Sequence, residues 1–294
     1  KTGFFYEITN VSGKCLYVVF YAGEKKTVHV VPLRKADILA KKLDKYVEKG
    51  IRYWKSQGAA ALAEKVVTKV KNVRQGPPSY QKWIRHHLPD RNELEKQKKT
   101  SFGYRPKLSF VVPLYKTPEK YLRRLTESFQ EQTYSNWELC FSDGSGAQSP
   151  LTELLKELTA KDNRIKYVSH EEPLQISENT NSAIEIATGD FIAFADHDDE
   201  LTPNALYEMV KKLNEYPEAG LLYSDEDKVT ADLKKHFQPH FKPDYNPDLL
   251  CTVNYICHLF VVSRKVIEKV GGLRSEFDGA QDYDFVLRCV EAVK

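Results

Sequence analysis

Four carboxylates follow an apolar run of strand length, and this segment has the clearest potential for chemistry in the chain. The run is Phe191–Ala195, and the acidic residues are Asp196, Asp198, Asp199 and Glu200. Like charges this close repel one another, and burying them costs free energy unless a positive charge compensates. Mg²⁺ and Mn²⁺ take oxygen ligands and are often shared with substrate phosphates. The segment therefore predicts a divalent-cation site, with a solvated acidic loop as the alternative.

Strand and helix signals alternate around this segment from about residue 105 onward. Apolar strands are expected at 108–112, 137–141, 165–168, 191–195 and 220–223, with helices between them at 117–131, 151–159, 177–187 and 202–215. Repeated units of this kind predict an α/β fold with a doubly wound, mostly parallel sheet and right-handed crossovers. Ligands of such sheets bind beyond the carboxyl ends of the strands, where Pro113, Asp143 and Asp196 stand.

Two Thr-Pro pairs give the same signal for the start of a helix. Thr117 and Thr202 carry side chains that are favoured at the N-cap, and each is followed by a proline, which is favoured at the first helical position. We therefore expect these two threonines to cap the helices that end near residues 131 and 215.

The segment Ser142–Gly146 follows the second strand of the α/β region and raises the question of dinucleotide binding. The G-x-G-x-x-G pattern fails because Ser149 stands at the position of the third glycine, so NAD binding is not expected. Two interpretations of Asp143 stay open. Its carboxylate accepts a hydrogen bond from the ring N–H of a pyrimidine base, or it caps the turn through its own backbone.

The first third of the chain differs from the α/β region. Short strands expected at 4–9, 15–21 and 27–31 indicate a small β-rich unit over residues 1–35. The apolar period becomes helical from residue 36, which indicates a helical segment over 36–104. The α/β domain is then 105–294, and we expect it to be truncated because its last residues resemble an interrupted helix.

Charge is divided unevenly along the chain. Residues 1–99 hold 22 Lys+Arg and 9 Asp+Glu, whereas residues 100–294 hold 22 and 32. The excess lies in 34–99, with 18 basic and 7 acidic side chains on helical runs that carry a narrow apolar stripe. This pattern suits an anionic membrane surface, and docking on the acidic domain is the alternative. No nucleic-acid partner is expected, since the Gly- and aromatic-rich motifs of RNA-binding modules are lacking.

Cysteine and targeting signals bear on the cellular setting. The five cysteines are scattered without any C-x-x-C spacing, which favours reduced thiols in the cytoplasm and disfavours a zinc site. No apolar run approaches the roughly 18 residues of a spanning helix, and no signal peptide is recognisable. We expect a cytoplasmic protein, peripheral at the inner face of the plasma membrane.

Two further features each have two interpretations. His258 lies in an apolar run expected to be a strand over 256–262, where it is either a core histidine with satisfied hydrogen bonds or a residue that approaches the metal. The acidic cluster 223–228 either borders a substrate sugar or forms a solvated loop.

Five motifs in a fixed order resemble one known family. They are Val111-Val112-Pro113-Leu114-Tyr115, Ser142-Asp143-Gly144-Ser145, Asp196-His197-Asp198-Asp199, Gly271-Gly272-Leu273 and Gln281-Asp282. Their combination, which covers residues 105–294, resembles the family 2 nucleotide-sugar glycosyltransferases with the GT-A fold. Within that family it is similar to bacterial enzymes of cell-surface polysaccharide assembly, including rhamnosyltransferases.

The resemblance implies a donor site for a UDP- or dTDP-sugar and a divalent cation, Mn²⁺ or Mg²⁺. It implies that Asp198 ligates the metal, that Asp196 contacts the ribose or shares the metal, and that Asp143 contacts the base. Pro113, Leu114 and Tyr115 would form the floor beneath the nucleoside. An acidic domain would repel a diphosphate without a cation, which agrees with these roles.

Asp282 stands where the resemblance implies the catalytic base, and Gln281 beside it would contact substrate. Many members carry Glu where this chain has Gln281. A helix N-terminus favours the carboxylate form of Asp282, which would accept the proton of the acceptor hydroxyl. The alternative is that Asp282 or Asp284 merely caps the helix.

The resulting hypothesis is a metal-dependent, inverting transfer of a sugar to a glycan or lipid-linked acceptor in polysaccharide biosynthesis. A non-catalytic nucleotide- or glycan-binding module on the same fold is one alternative, and a nucleotidyltransferase is another. A nucleotidyltransferase would need a glycine-rich, basic phosphate-binding loop near the first strand of the α/β region. Residues 113–117 do not form such a loop.

Overall fold

The computed structural model describes the backbone of three strands near the N-terminus and residues 80–230, 232 and 235–293. The chain forms two compact units, Lys1–Ser79 and Tyr80–Lys294. In the first unit, β1 (Phe5–Thr9), β2 (Cys15–Ala22) and β3 (Lys25–Pro32) form an antiparallel sheet in sequence order, close to the predicted strands. The helices predicted over 36–79 lie outside the described residues, and the division into 1–35, 36–104 and 105–294 stays a prediction.

The second unit is built on a six-stranded sheet of order β6-β5-β4-β7-β11-β8. The first four strands of that order run parallel, and β11 is antiparallel to both of its neighbours. The predicted mostly parallel α/β sheet is therefore confirmed. A separate antiparallel pair, β9 with β10, follows β8. In chain order the strands are β4 (Leu108–Leu114), β5 (Trp137–Asp143), β6 (Ile165–Ser169), β7 (Phe191–Phe194), β8 (Leu221–Tyr223), β9 (Glu226–Val229), β10 (His236–His240) and β11 (Phe260–Ser263).

Helices connect these strands and cover the sheet. In chain order they are α1 (Tyr80–His87), α2 (Arg91–Lys99), α3 (Glu119–Gln130), α4 (Thr152–Lys161), α5 (Ile176–Ile186), α6 (Ala205–Glu215), α7 (Pro247–Leu250), α8 (Arg264–Val270) and α9 (Gln281–Ala292). A short 3₁₀ turn, Ser275–Phe277, precedes α9.

Alternating side chains of the central strands form two apolar layers, one on each face of the sheet. Phe110 and Leu139 are fully buried in the layer that α3, α4 and α6 cover, whereas Val111 and Cys140 are fully buried in the layer under α5, α8 and α9. The near-continuous apolar composition of β4 and β5 follows from this double coverage, because a parallel strand is buried on both faces.

An ion-pair cluster stabilises the end of the sheet where the parallel strands begin. Glu138 near the start of β5 is 1% exposed and lies between Lys107 and Lys166, whose ammonium groups pair with it. Its carboxylate also accepts a hydrogen bond of 2.6 Å from the Ser109 hydroxyl. Burial opposes ionisation, but these hydrogen bonds lower the pKa of Glu138 to about 2.

The predicted capping role of the two Thr-Pro pairs is wrong. Helix α3 begins at Glu119 with Pro118 as its N-cap, because Pro118 has an extended ψ of 127°. The Thr117 hydroxyl is buried and has no hydrogen-bond partner among the described residues. Helix α6 begins at Ala205 after the N-cap Asn204, and the Thr202 carbonyl accepts from the Ala205 amide instead. In both cases the pair forms the approach to the helix rather than its first turn.

Candidate functional site

The carboxyl ends of three neighbouring strands bring the predicted site residues to one edge of the sheet. In the parallel register of β4 and β5, Leu114 stands opposite Asp143. On the other side of β4, the amide of Ala195 donates to the Val111 carbonyl over 3.3 Å, and Asp196 follows directly. Asp143 and Asp196 therefore flank the end of β4, as the strand order requires.

A cleft of about 520 Å³ opens at this edge. Four predicted residues line it, namely Pro113, Tyr115, Asp196 and Asp198, and we call it the strand-end cleft. Leu114 is fully buried beneath it, and its carbonyl accepts from the Gly144 amide over 3.0 Å. Leu114 thus supports the cleft from below rather than lining it.

Asp143 is 1% exposed, and its carboxylate is engaged by the turn that follows β5. One oxygen accepts from the Ser145 amide over 3.1 Å, and the other accepts from the Ser149 hydroxyl. The turn also needs Gly144, because a Cβ at this position would lie 2.9 Å from the Asn179 side chain. The structure therefore shows the turn-capping interaction, and the base contact of Asp143 stays a prediction.

The acidic residues after β7 form a tight turn. The Asp199 amide donates to the Asp196 carbonyl over 3.1 Å, and the Asp199 carboxylate accepts from the Asp196 amide over 2.9 Å. Asp196 and Asp198 are exposed, whereas Asp199 is half-buried. Glu200 does not line the strand-end cleft, and it pairs with Arg124 of α3. Only part of this acidic run is therefore free to bind a ligand.

The predicted strand around His258 is wrong, because β11 begins at Phe260 and His258 lies in the loop before it. The imidazole is not a satisfied core histidine. Its Nδ1 is buried with no hydrogen-bond partner among the described residues, and its Nε2 lies 3.8 Å from Oδ2 of Asp196. The loop places His258 beside the acidic turn, which favours the second of its two interpretations.

Asp196, Asp199 and His258 form a group, here called the cation group, that fits a divalent metal ion. Each offers one ligand atom, and these atoms all lie within 4.8 Å of one another. Burial raises the pKa of Asp199, and the charges of Asp196 and Asp198 raise it further, against the opposing effect of His258. A cation relieves this crowding, and a mixed carboxylate and imidazole set suits Mn²⁺ better than Mg²⁺. Asp198 lies outside the group, on the side of the strand-end cleft.

Asp282 lies in the first turn of α9, next to a cavity of only about 10 Å³ that His258 also lines. It does not cap the helix, since the N-cap is Ala280 and no side chain caps it. Burial raises the pKa of Asp282, and the negative charge of Asp196 raises it further. This direction is opposite to the one expected from the helix N-terminus alone, and it makes the carboxylate a stronger base.

The neighbouring carboxylate of the same turn has a different environment. Asp284 pairs with Arg274 and Arg288, and the hydrogen bonds from these guanidinium groups lower its pKa. Gln281 forms hydrogen bonds at the start of the same turn. Its Nε2 donates to the Asp282 carboxylate over 3.3 Å, and its Oε1 accepts from the Gly279 amide. Asp284 is thus held in ion pairs, whereas Asp282 forms none with the described residues.

Comparison with known proteins identifies the family. Residues 109–271, more than half of the chain, match the family model for glycosyl transferase family 2. The chain belongs to glycosyl transferase family 2. The match includes Asp143, the acidic turn and His258, whereas α1, α2 and α9 lie outside it.

Two curated relatives of the family 2 chain are much longer proteins. An uncharacterised protein, y4gI, of Sinorhizobium fredii is 42% identical over 192 residues, which cover 64% of this chain and 21% of that protein. The O-antigen biosynthesis protein RfbC of Myxococcus xanthus is 34% identical over 219 residues, covering 74% of this chain and 17% of that protein. The chain therefore spans about a fifth of the length of these relatives.

A solved structure shows the fold of the family 2 domain. The S. aureus protein TarS, in complex with UDP-GlcNAc, has 20% sequence identity and a TM-score of 0.52. The alignment covers 63% of this chain and 54% of TarS. The likeness supports the GT-A fold that the sequence predicts.

Sequence reasoning missed two residues that shape the family 2 site. Asn179 of α5 lines the strand-end cleft and donates to the Leu114 carbonyl over 2.9 Å. The side chain of Lys242 is fully buried, and its ammonium donates to the carbonyls of Ile256 and His258. No local signal marks either residue, because each acts on a backbone group distant in sequence.

The acidic cluster 223–228 is not a solvated loop. Glu226 accepts from the His258 amide over 2.9 Å, Asp225 accepts from the Lys242 amide over 2.7 Å, and Asp227 accepts from His236 Nδ1 over 2.9 Å. Glu226 thus holds the loop that carries His258 directly, and Asp225 acts on it through Lys242, whose ammonium donates to the His258 carbonyl.

Proposed function

We propose that this chain transfers a sugar from a nucleoside-diphosphate sugar to a glycan or lipid-linked acceptor, with inversion at the anomeric carbon. The observation that carries the proposal is the position of the cation group, which shares Asp196 with the strand-end cleft and His258 with the small cavity next to Asp282. The name of the O-antigen relative favours a role in cell-surface polysaccharide biosynthesis. The UDP-GlcNAc complex of TarS favours a UDP- or dTDP-sugar as donor.

The strand-end cleft is the proposed nucleoside site. Its volume of about 520 Å³ falls within the ~300–1,000 Å³ of typical small-molecule sites. Tyr115 is 52% exposed at its wall, where an aromatic ring can contact the nucleoside, and Pro113 contributes to its floor. Asp196 at the rim is the proposed ribose contact, and Asp143 is the proposed base contact.

The proposed cation ligands are Asp196 and Asp198, as the resemblance implies, together with Asp199 and His258, as the geometry favours. A bound Mn²⁺ or Mg²⁺ supplies Lewis-acid stabilisation of the departing diphosphate. Lys242 and Glu226 keep His258 in place through its carbonyl and its amide. At these positions a metal ion would compensate the crowded negative charges of Asp196, Asp198 and Asp199.

Asp282 is the proposed general base. Its carboxylate accepts the proton of the acceptor hydroxyl while the hydroxyl oxygen forms a bond to the anomeric carbon. The bond from that carbon to the diphosphate oxygen breaks on the opposite face, so the configuration inverts and the nucleoside diphosphate leaves. A raised pKa brings Asp282 closer to the pH at which it works, which improves a general base.

The test of this proposal is the metal dependence of nucleotide binding. Isothermal titration of UDP should show at least roughly tenfold tighter binding with Mn²⁺ than with EDTA, a difference of about 1.4 kcal/mol. Asp199→Asn and His258→Gln should each reduce this gain while the protein stays folded. Glu200→Gln is the matched control, because its carboxylate pairs with Arg124. Equal UDP affinity with Mn²⁺ and with EDTA would refute the proposal.

The location of the protein is also a proposal. Among the described residues, no helix is long and apolar enough to cross a bilayer. We propose that the basic segment 34–99 attaches the cytoplasmic protein to an anionic membrane surface. Most of this segment lies outside the described residues. Its last part contains α1 and α2, where Arg85 and Lys96 illustrate the exposed basic side chains.

A further inference from the structure

Helix α1 packs on the antiparallel pair of β9 and β10, here called the β9–β10 hairpin, and on the residue that follows it. The indole of Trp83 stacks on both Tyr80 and His87, with ring centroids 5.7 Å and 4.0 Å away. It also meets the ring of Phe241 edge-on at 4.8 Å. Stacked neighbours on the same helix hold the indole in one orientation, so α1 contacts the end of the hairpin through a fixed aromatic cluster.

Hydrogen bonds join α1 to both strands of the hairpin. The Tyr80 hydroxyl donates to Asp227 of β9 over 2.5 Å, and Nε2 of Gln81 donates to the His236 carbonyl of β10. Burial raises the pKa of Tyr80, and the Asp227 carboxylate raises it further, so the hydroxyl keeps the proton that it donates. The first turn of α1 is therefore attached to β9 and to β10 at once.

The hairpin in turn holds a residue of the cation group. Glu226 of β9 accepts from the His258 amide over 2.9 Å. Lys242, two residues after β10, has a fully buried side chain whose ammonium donates to the His258 carbonyl. Because His258 is held at its amide and at its carbonyl from this side, a displacement of the hairpin would move the imidazole relative to Asp196 and Asp199.

Helix α1 and the cation group also border the same cavity, which has a volume of about 270 Å³. Trp83 and Ile84 line it from α1, and Asp199 and His258 line it from the cation group. The cavity shares no lining residue with the strand-end cleft, so α1 reaches the cation group from a space separate from the proposed nucleoside site. Helix α1 also lies outside residues 109–271, which match the family model.

We propose that α1 is a positioning element for the cation group, with Trp83 and Tyr80 as its positioning residues. The helix fixes the β9–β10 hairpin, and the hairpin fixes the backbone of His258. Residues that orient metal ligands from outside the ligand set are worth roughly 10–100-fold in metal affinity. The inference rests on the proposed function, and it makes the cation group depend on a helix that precedes the residues of the family model.

The first experiment measures Mn²⁺ affinity without any nucleotide or turnover. The EPR signal of free Mn²⁺ reports how much of the ion the whole chain binds. Trp83→Ala should weaken Mn²⁺ binding about tenfold, and Trp83→Phe should restore most of the affinity, because a phenyl ring can still meet Phe241. Lys82→Ala is the matched control and should change nothing, because Lys82 is an exposed residue of the same helix that does not line the cavity.

The second experiment measures the position of the His258 loop by hydrogen exchange. The His258 amide should exchange about tenfold faster in Trp83→Ala, since the hairpin supplies the hydrogen bond that protects it. The Leu139 amide, which is bonded within the central sheet, should exchange as in the wild type. Tyr80→Phe removes only the hydroxyl and should change both Mn²⁺ affinity and His258 exchange in the same direction, which keeps the test decisive if Trp83→Ala does not fold.

Equal Mn²⁺ affinity in the wild type, Trp83→Ala and Tyr80→Phe would overturn the proposal. Weaker Mn²⁺ binding with faster exchange at Leu139 as well as at His258 would also overturn it, because α1 would then only stabilise the fold. Failure of the proposed function is distinguishable. A wild type that binds no Mn²⁺ would refute the metal site of that function, whereas a wild type that binds Mn²⁺ as well as its variants do would refute only the role of α1.

Discussion

Two aspartates in the first turn of α9 should respond in opposite ways to the same substitution. Asp282→Asn is expected to lower turnover by about 10²–10⁴-fold, which corresponds to about 3–5 kcal/mol in the activation free energy. Asp284→Asn is expected to leave turnover nearly unchanged. The contrast follows from their surroundings, since Asp282 has a raised pKa and Asp284 is held by Arg274 and Arg288.

The stability of the two variants should show the reverse order. The pKa of Asp284 is lowered, so its ion pairs stabilise the fold above the usual pKa of an aspartate and are lost as the pH falls through the lowered value. Asp284→Asn should therefore reduce the free energy of unfolding at pH 7 by about 1–3 kcal/mol. The pKa of Asp282 is raised, so ionisation of Asp282 opposes folding. Asp282→Asn should leave stability unchanged or raise it.

Turnover of the two variants is measured as release of nucleoside diphosphate in the presence of acceptor, in the full-length protein. Their stability is measured by urea denaturation. The amide oxygen of Asn in the Asp282→Asn variant can still accept the hydrogen bond from Gln281, so the affinity for UDP should stay the same. A fall in turnover would then report on the chemical step alone. In the wild type, turnover should also fall with decreasing pH as Asp282 takes up a proton. If Asp282→Asn spared turnover and destabilised the fold, while Asp284→Asn did the opposite, the assignment of the base would be wrong.

Three further predictions concern the base contact, the fold and the membrane. Asp143→Ala should weaken UDP binding by about 1–3 kcal/mol in calorimetry, whereas Ser149→Ala, which removes only a turn contact, should not; equal losses would assign Asp143 to the turn alone. Glu138→Gln should lower the free energy of unfolding at pH 7 by about 3 kcal/mol. The pKa of Glu138 is lowered from 4.5 to about 2, and each pKa unit corresponds to about 1.4 kcal/mol. Wild-type urea denaturation should show this contribution fading below about pH 4, and a variant as stable as the wild type would refute it. The whole chain should co-sediment with anionic vesicles in a salt-sensitive way, each basic side chain contributing about 1 kcal/mol, and Tyr80–Lys294 alone should bind more weakly; no vesicle binding would favour docking of the basic segment on the acidic domain.

Most of the fold was predictable because apolar runs of strand length alternate with helical periods. Strands β4 and β5 are buried on both faces, so their composition alone indicates a central position in a parallel sheet. The helix starts were less predictable. Thr117 has the residue type of a cap, yet its hydroxyl turns inward because Pro118 keeps an extended ψ before α3. The capping preference of a residue type does not predict whether its side chain faces the helix end or the core.

The candidate site was predictable where its residues share a strand end. Asp196 and Asp198 follow β7 directly, and the strand order brings them near Pro113. The partnership of His258 with Asp199 was not predictable, because a loop 59 residues further along the chain carries the imidazole. The role of Lys242 was not predictable for a similar reason, since a buried lysine that donates to backbone carbonyls has no sequence signature.

Strand β5 shows how one element serves both stability and the candidate chemistry. Near its start, Glu138 is surrounded by two ammonium groups and its pKa is about 2, so its charge is fully compensated within the protein. The other end of β5 lies at the edge of the sheet that carries the acidic turn, where Asp199 and Asp282 have raised pKa values because burial disfavours their negative charges and the described residues do not compensate them. Uncompensated charge destabilises a fold but creates affinity for a cation and strengthens a base. The satisfied end of the sheet therefore offsets the cost of the unsatisfied end, which is the end proposed to bind the cation and the substrates.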